Sequence, residues 1–316
     1  MKISVVIPTY NRPHQLVEAL DSLAMQDCSV IDEVLLGDNS SPEMRDANAA
    51  IVAASPIASL IRHHPNVPPT NVRENQKALA RRARSDYFLI LHDDDHLLPG
   101  ALAKLTAACV AERDPRVKVW FGRNYVMNQD GVVDTAGAAE LDRTYGKDGP
   151  EDVRPVWRWC LTQSLPPNSA LIDRAAYLAH MEDDRDGNVS DWGFWVRLAN
   201  SGAWGRFIPE YIWTYRVQQV SESISGRGMD AHHWYEICTQ LAVPPEYEGQ
   251  KKALLEGVAV VATTRYIRDG ERRRAWDCLA SPYWRWRDRL SLRGLATYAM
   301  LVTPRPLWLW ALRFRG

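Results

Sequence analysis

The run Ile3-Ser4-Val5-Val6-Ile7, stopped by Pro8, constrains this 316-residue chain more than any other segment. A near-continuous β-branched run of that length, met at the start of a chain, reads as a parallel strand covered on both faces. Arg12-Pro13 then opens a helix whose apolar residues Leu16, Ala19, Leu20 and Leu23 recur at spacings of three and four. Val34-Leu35-Leu36 predicts a second strand, Pro42 to Ala54 a helix, Ala58 to Ile61 a third strand, and Asn75 to Ala83 a basic helix. Tyr87 to Leu91 predicts a fourth strand. This alternation specifies an α/β fold, a mostly parallel central sheet flanked by helices and wound with right-handed crossovers. Ligands of such sheets gather beyond the carboxyl ends of the strands.

Three polar clusters fall at those ends: Thr9-Tyr10-Asn11-Arg12, Asp38-Asn39-Ser40, and Asp93-Asp94-Asp95-His96. Three consecutive carboxylates at the mouth of a buried strand suit a hard divalent cation that also holds phosphate oxygens. The bland alternative is a solvated acidic turn. The glycine-rich dinucleotide fingerprint and the G-x-x-x-x-G-K-[ST] loop are both missing, which argues against hydride transfer and P-loop phosphotransfer. A net charge of −1 argues against a general nucleic-acid binder. The five cysteines are scattered without a C-x-x-C pair, so reduced thiols in a cytoplasmic protein are expected. The chain enters a strand at once, so no signal peptide is expected, and no apolar run is long enough to span a bilayer.

Farther along, Val117 to Phe121 and Asn168 to Ile172 read as strands, with Trp157 to Leu161 and Asp173 to Met181 as helices. Ser190-Asp191-Trp192-Gly193 begins a helix that Gly202 ends, with Ser190 as its N-cap. Phe207-Ile208 and Tyr211 to Val217 read as short strands, and everything from Met229 onward as helix.

Together these residues resemble the family-2 glycosyltransferases with the GT-A fold. The resemblance lies in Ser4-Val5-Val6-Ile7-Pro8-Thr9-Tyr10-Asn11-Arg12-Pro13, in Gly37-Asp38-Asn39-Ser40-Ser41, in Asn75 with Leu91-His92-Asp93-Asp94-Asp95-His96, and in Ser190 to Leu198 with Gly202. It covers roughly residues 3 to 217. It implies transfer of a sugar from a nucleotide diphosphate sugar to an acceptor hydroxyl, with inversion if a single carboxylate acts. Pro8, Thr9, Tyr10 and Arg12 would line the nucleotide pocket, with Tyr10 stacking and Arg12 near phosphate. Asp38 would accept a hydrogen bond from base or ribose, and Asn75 would belong to the same half-site. Asp93 and Asp95 form the outer pair of a D-x-D motif: Asp93 would meet the ribose or a metal-bound water, and Asp95 the metal, Mg²⁺ or Mn²⁺. Asp94 leaves the register open by one residue. His92 and His96 are expected to flank the metal rather than bind it. Where many family members carry a metal-binding histidine this chain has Gln218, whose carbonyl oxygen could substitute. Asp191 would be the general base and Trp192 an acceptor-side wall.

From Arg265 to the end arginines far outnumber acids, and Trp276, Trp284, Trp286, Trp308 and Trp310 are interleaved with them. Such a tail suits either an anionic membrane surface or a helical cap. The expected organisation is a catalytic domain over 1–225, divided into nucleotide-sugar (1–120) and acceptor (121–225) halves, and a helical extension over 226–316. The expected acceptor is a glycan or lipid-linked glycan at the cytoplasmic face, with no nucleic acid involved. The rival readings are a sugar-nucleotide nucleotidyltransferase, a non-catalytic nucleotide-sugar or glycan-binding protein, and a retaining transferase.

Overall fold

A computed structural model describes residues 1–181, 184–217 and 230–304. The strands are β1 (Ile3–Thr9), β2 (Ile31–Asp38), β3 (Ile61–Pro65), β4 (Tyr87–Ile90), β5 (His96–Leu97), β6 (Val117–Met127), β7 (Val133–Asp134), β8 (Asp152–Pro155), β9 (Leu171–Asp173) and β10 (Trp204–Arg216). The helices are α1 (Pro13–Ala24), α2 (Pro42–Ala54), α3 (Val72–Arg82), α4 (Ala101–Ala111), α5 (Ala138–Thr144), α6 (Val156–Leu161), α7 (Arg174–His180) and α8 (Ser190–Asn200). After them come α9 (Ala231–Thr239), α10 (Glu248–Asp269), α11 (Arg272–Ala280), α12 (Trp286–Arg289) and α13 (Leu292–Val302).

Two compact units result, one from residues 1–183 and 197–219, the other from 184–196 and 220–316. The first holds the sheet, in the order β3-β2-β1-β4-β9-β6-β10-β5, with β7 added to β6 and β8 to β10. Neighbours β3-β2-β1-β4 are parallel, as are β6 and β10. Strand β9 sits antiparallel between β4 and β6. Every residue of β1 is buried, and its Val5 and Ile7 join Leu16, Leu20 and Leu23 of α1 in one core. Burial of each such aliphatic side chain contributes about 1.5–3 kcal/mol.

Three local readings change. The third strand begins at Ile61, because Ala58–Leu60 form a 3-10 turn. The two short strands expected around Phe207 and Tyr211 are one, β10, whose register slips between Ile208 and Tyr211 and so accommodates Pro209. Ser190 is the first helical residue of α8 rather than its cap, since a 3-10 segment over Asp184–Val189 runs directly into it. Gly202, at φ +83°, follows the end of that helix as expected.

The second unit has its own core of Leu255, Ala259 and Tyr266 from α10 with Ala275, Cys278 and Leu279 from α11. Among the described residues no helix is long and apolar enough to cross a membrane.

Candidate active site

The ends of β1, β2 and β4 bring the three polar clusters of the sequence to one edge of the sheet. Beyond β1, Thr9 Oγ1 donates to Asp93 Oδ2 at 2.7 Å, and the Tyr10 N–H donates to the same oxygen at 3.2 Å. Arg12 Nη1 reaches Asp93 Oδ1 at 3.1 Å and Asp94 Oδ2 at 2.8 Å. Asn11 holds a left-handed φ of +54°, which asparagine tolerates, and its side chain accepts from the Ser41 N–H at 2.9 Å. The turn leaves Tyr10 63% exposed, an aromatic ring with no core to fill.

Asp38 at the end of β2 is fully buried. Its Oδ1 accepts from the Ser40 N–H at 2.9 Å, and its Oδ2 accepts from Asn48 Nδ2 at 3.0 Å and His63 Nε2 at 2.9 Å. Burial would raise its pKa, but the hydrogen bonds from His63, Ser40 and Asn48 outweigh that and lower it to about 2. Asn75 on α3 donates to the Gly37 carbonyl at 2.8 Å and accepts from Asn66 Nδ2 at 2.9 Å. A Cβ on Gly37 would lie 2.2 Å from Asn75 Oδ1, so only glycine admits this approach.

The triple carboxylate divides its work. Both oxygens of Asp93 are engaged by the Thr9–Arg12 turn. Asp95, buried, accepts from Asn168 Nδ2 at 2.8 Å and from the Arg216 N–H at 2.8 Å. Asn168 Nδ2 also reaches His92 Nδ1 at 3.0 Å. Burial, with Asp94 adding its charge, pushes the Asp95 carboxyl well above the usual range. Burial raises Asp93 to about 6, against the lowering effect of Arg12. His92, Asp94 and Asp95 offer one imidazole nitrogen and two carboxylate oxygens within 4.8 Å of one another. Burial lowers the His92 pKa, which favours the neutral, ligand-competent imidazole. Two crowded carboxylates, one strained toward protonation, fit a divalent cation such as Mg²⁺ or Mn²⁺. His92 thus stands within the metal-competent group, whereas Asp93 faces the turn after β1. Gln218 lies outside the described residues.

Sequence reasoning missed Arg216. It is buried, its Nε donates to the Asp94 carbonyl at 2.9 Å, Nη1 donates to the Gln129 carbonyl at 2.9 Å, and Nη2 pairs with Glu18. Asn168 was also missed, although it stands between Pro167 and a residue in a strained conformation, Ser169 at φ +60°.

In the second unit, Asp191 lies in the first turn of α8. Burial raises its carboxyl to about 6, and neighbouring Asp186 adds to the rise. Gly193 lies against Asp186: a Cβ there would come 2.2 Å from Asp186 Oδ2. Trp192 is half-buried and packs edge-on against Trp234, with ring centroids 5.6 Å apart.

Residues 4–143 match the family described as Glycosyl transferase family 2. A GalNAc(5)-diNAcBac-PP-undecaprenol beta-1,3-glucosyltransferase of Campylobacter jejuni is 29% identical over 105 residues, 33% of each chain. The chain spans less than half the length of the curated relatives it matches. TarS 1-349 of S. aureus, solved in complex with UDP-GlcNAc, superposes with a TM-score of 0.62 at 15% identity, over 88% of this chain and 80% of that one. The mannosyltransferase PcManGT of Pyrobaculum calidifontis, solved with GDP-Man and Mn²⁺, gives 0.57 at 17% identity, over 98% and 82%. The fold is therefore GT-A. The nucleotide-side turns and the acidic triplet both fall within residues 4–143, the segment that matches glycosyl transferase family 2.

Proposed function

We propose that the protein is an inverting, metal-dependent glycosyltransferase. It moves a sugar from a nucleotide diphosphate sugar to an acceptor hydroxyl, on a glycan or lipid-linked glycan of a cell-surface polysaccharide. The observation that carries this is the meeting of the Thr9–Arg12 turn, buried Asp38 and the Asp93–Asp95 triplet at the ends of adjacent parallel strands.

In this reading Pro8, Thr9, Tyr10, Arg12 and Asn75 form the nucleotide-side wall. Exposed Tyr10 stacks on the donor, and Arg12 exchanges part of its hold on Asp93 and Asp94 for phosphate. Asp38 orders the loop after β2. It does so through hydrogen bonds from Ser40, Asn48 and His63, and in this proposal it faces the base or ribose of the donor. Asp94 and Asp95, with His92, would hold Mg²⁺ or Mn²⁺; Asp93 adds charge beside them, and Gln218 is a further ligand in this proposal. A bound metal supplies positive charge to the departing diphosphate. As the acceptor oxygen attacks the anomeric carbon, the bond from that carbon to the diphosphate breaks and Asp191 takes the hydroxyl proton. Trp192 serves as the acceptor-side wall. The undecaprenol-linked substrate in the name of the Campylobacter jejuni relative supports a lipid-linked acceptor, used at the cytoplasmic face of a membrane.

The test is thermal stabilisation of the protein by UDP, GDP, dTDP and CMP, each with Mn²⁺ and with EDTA. A nucleotide at about a hundred times its dissociation constant adds roughly 2.7 kcal/mol of stability, a clear rise in Tm. One nucleoside diphosphate stabilising only with metal is the expected result. No response to any of them would count against a donor site and favour glycan binding.

A further inference from the structure

In the second unit, α13 packs Leu301, Tyr298 and Met300 against the core and also carries an apolar stripe on its outward side. It buries Gly294, Thr297 and Leu301 and leaves Leu292 88%, Leu295 54% and Val302 69% exposed. Ala296 and Ala299 are exposed as well. Spacings of three and four place these residues on one stripe of the helix. The segment just before it adds Trp286 at 67% and Leu290 at 69%. The arrangement is built in by close packing. A Cβ on Gly294 would sit 2.2 Å from the Asp288 carbonyl oxygen, so the glycine lets α13 lie tightly under the end of α12 and fixes which face turns out.

Arginines border the stripe. Arg285, Arg287 and Arg293 are exposed; Arg285 pairs with Asp288, and Arg287 lies over the Trp286 ring at 5.7 Å. Residues 305–316 of the sequence add Arg305, Arg313 and Arg315 with no acidic residue. A second copy of this face, or that basic segment, would set like charges against the arginine border. An anionic surface complements it. Exposed Trp and Leu ringed by Arg is the pattern of a segment that lies in a headgroup layer.

We propose that the Trp286–Val302 face is a docking surface for an anionic lipid bilayer, with Trp286, Leu290, Leu292 and Leu295 entering the headgroup zone and the bordering arginines meeting lipid phosphates. The proposal goes beyond sugar transfer and requires no donor, so its test is independent of the enzymatic reading.

The experiment is flotation of the full chain with vesicles of phosphatidylglycerol and phosphatidylcholine in equal parts, against vesicles of phosphatidylcholine alone. The wild type should float with the anionic vesicles only, and less so in high salt. Trp286→Ser with Leu292→Ser and Leu295→Ser should weaken partition by about tenfold or more, as the apolar contribution scales with inserted area. Arg287→Glu with Arg293→Glu should do the same, and both variants should keep the wild-type Tm because all five side chains are exposed. A wild type that stays in solution would overturn the proposal. So would variants that float equally well, or a wild-type dimer that the Ser variant converts to monomer, which would assign the face to a second copy.

Discussion

The backbone N–H of Arg216 donates to Asp95 Oδ1 at 2.8 Å across 121 positions of sequence. The same residue's side chain holds the Asp94 carbonyl, Gln129 and Glu18. Arg216 therefore clamps the acidic triplet from both its main chain and its side chain. Arg216→Ala keeps the main-chain bond but removes a buried guanidinium and its hydrogen bonds to the Asp94 and Gln129 carbonyls, and should cost about 2 kcal/mol. Arg216→Lys keeps charge without the planar fork and should recover only part of that loss. Urea melts of both variants, with and without Mn²⁺, would check this.

Asp95→Ala should abolish metal-dependent stabilisation by the donor nucleotide. It also strands the Asn168 amide and the Arg216 N–H, which should lower Tm without metal as well. Thermal shift with and without Mn²⁺ separates the two effects. Normal metal-supported affinity would take Asp95 out of the metal group.

Asp191→Asn should bind donor normally and lose transfer by about 10²-fold or more. A general base must be ionised, and this carboxyl titrates at about 6. In the wild type, kcat/KM should fall about tenfold per unit as pH drops below 6. An assay of donor turnover between pH 5 and 8, beside a donor-binding titration of the variant, separates loss of the base from loss of the site.

Asp38 gives a prediction for acid stability. Its folded pKa of about 2 lies below its ordinary 3.8, so the unfolded chain takes up the proton first. The stabilisation, about 2 kcal/mol, is complete above pH 4 and lost as pH falls toward 2. Asp38→Asn should therefore be less stable at pH 7, with the gap to wild type closing in acid. Urea midpoints measured from pH 7 to pH 2.5 would reveal it.

The sequence announces part of this fold clearly. Strands β1, β2 and β4 are apolar runs buried on both faces, and the polar residues that stop them are the ones that meet at the sheet edge. Strand β3 reads poorly because it is half-buried and carries His63 and His64, so its apolar signal is weak. Strands β5 and β7 have two residues each and carry no periodicity. Helix α4 went unread although Gly100, at φ +74°, sits at its start and Leu102 and Leu105 enter the core. Within the site, Thr9, Asp38 and the triplet are legible as clusters. Arg216 and Asn168 are not, because their approach to Asp95 depends on where β9 and β10 enter the sheet, 73 and 121 positions away.

That insertion of β9 between β4 and β6 has a consequence for how the chain can be cut and made. The segment matching the family ends at residue 143, yet β4 and β6 find their shared neighbour only at Leu171–Asp173, and β6 gains β10 only after Trp204. A ribosome that has delivered the family segment has delivered two open sheet edges, apolar and unpaired, for the time it takes to synthesise the rest. The recognisable domain is thus shorter than the folding unit. Fragments ending near 143 should aggregate, and those reaching past Arg216 are the first with every strand of the sheet among the described residues in hand.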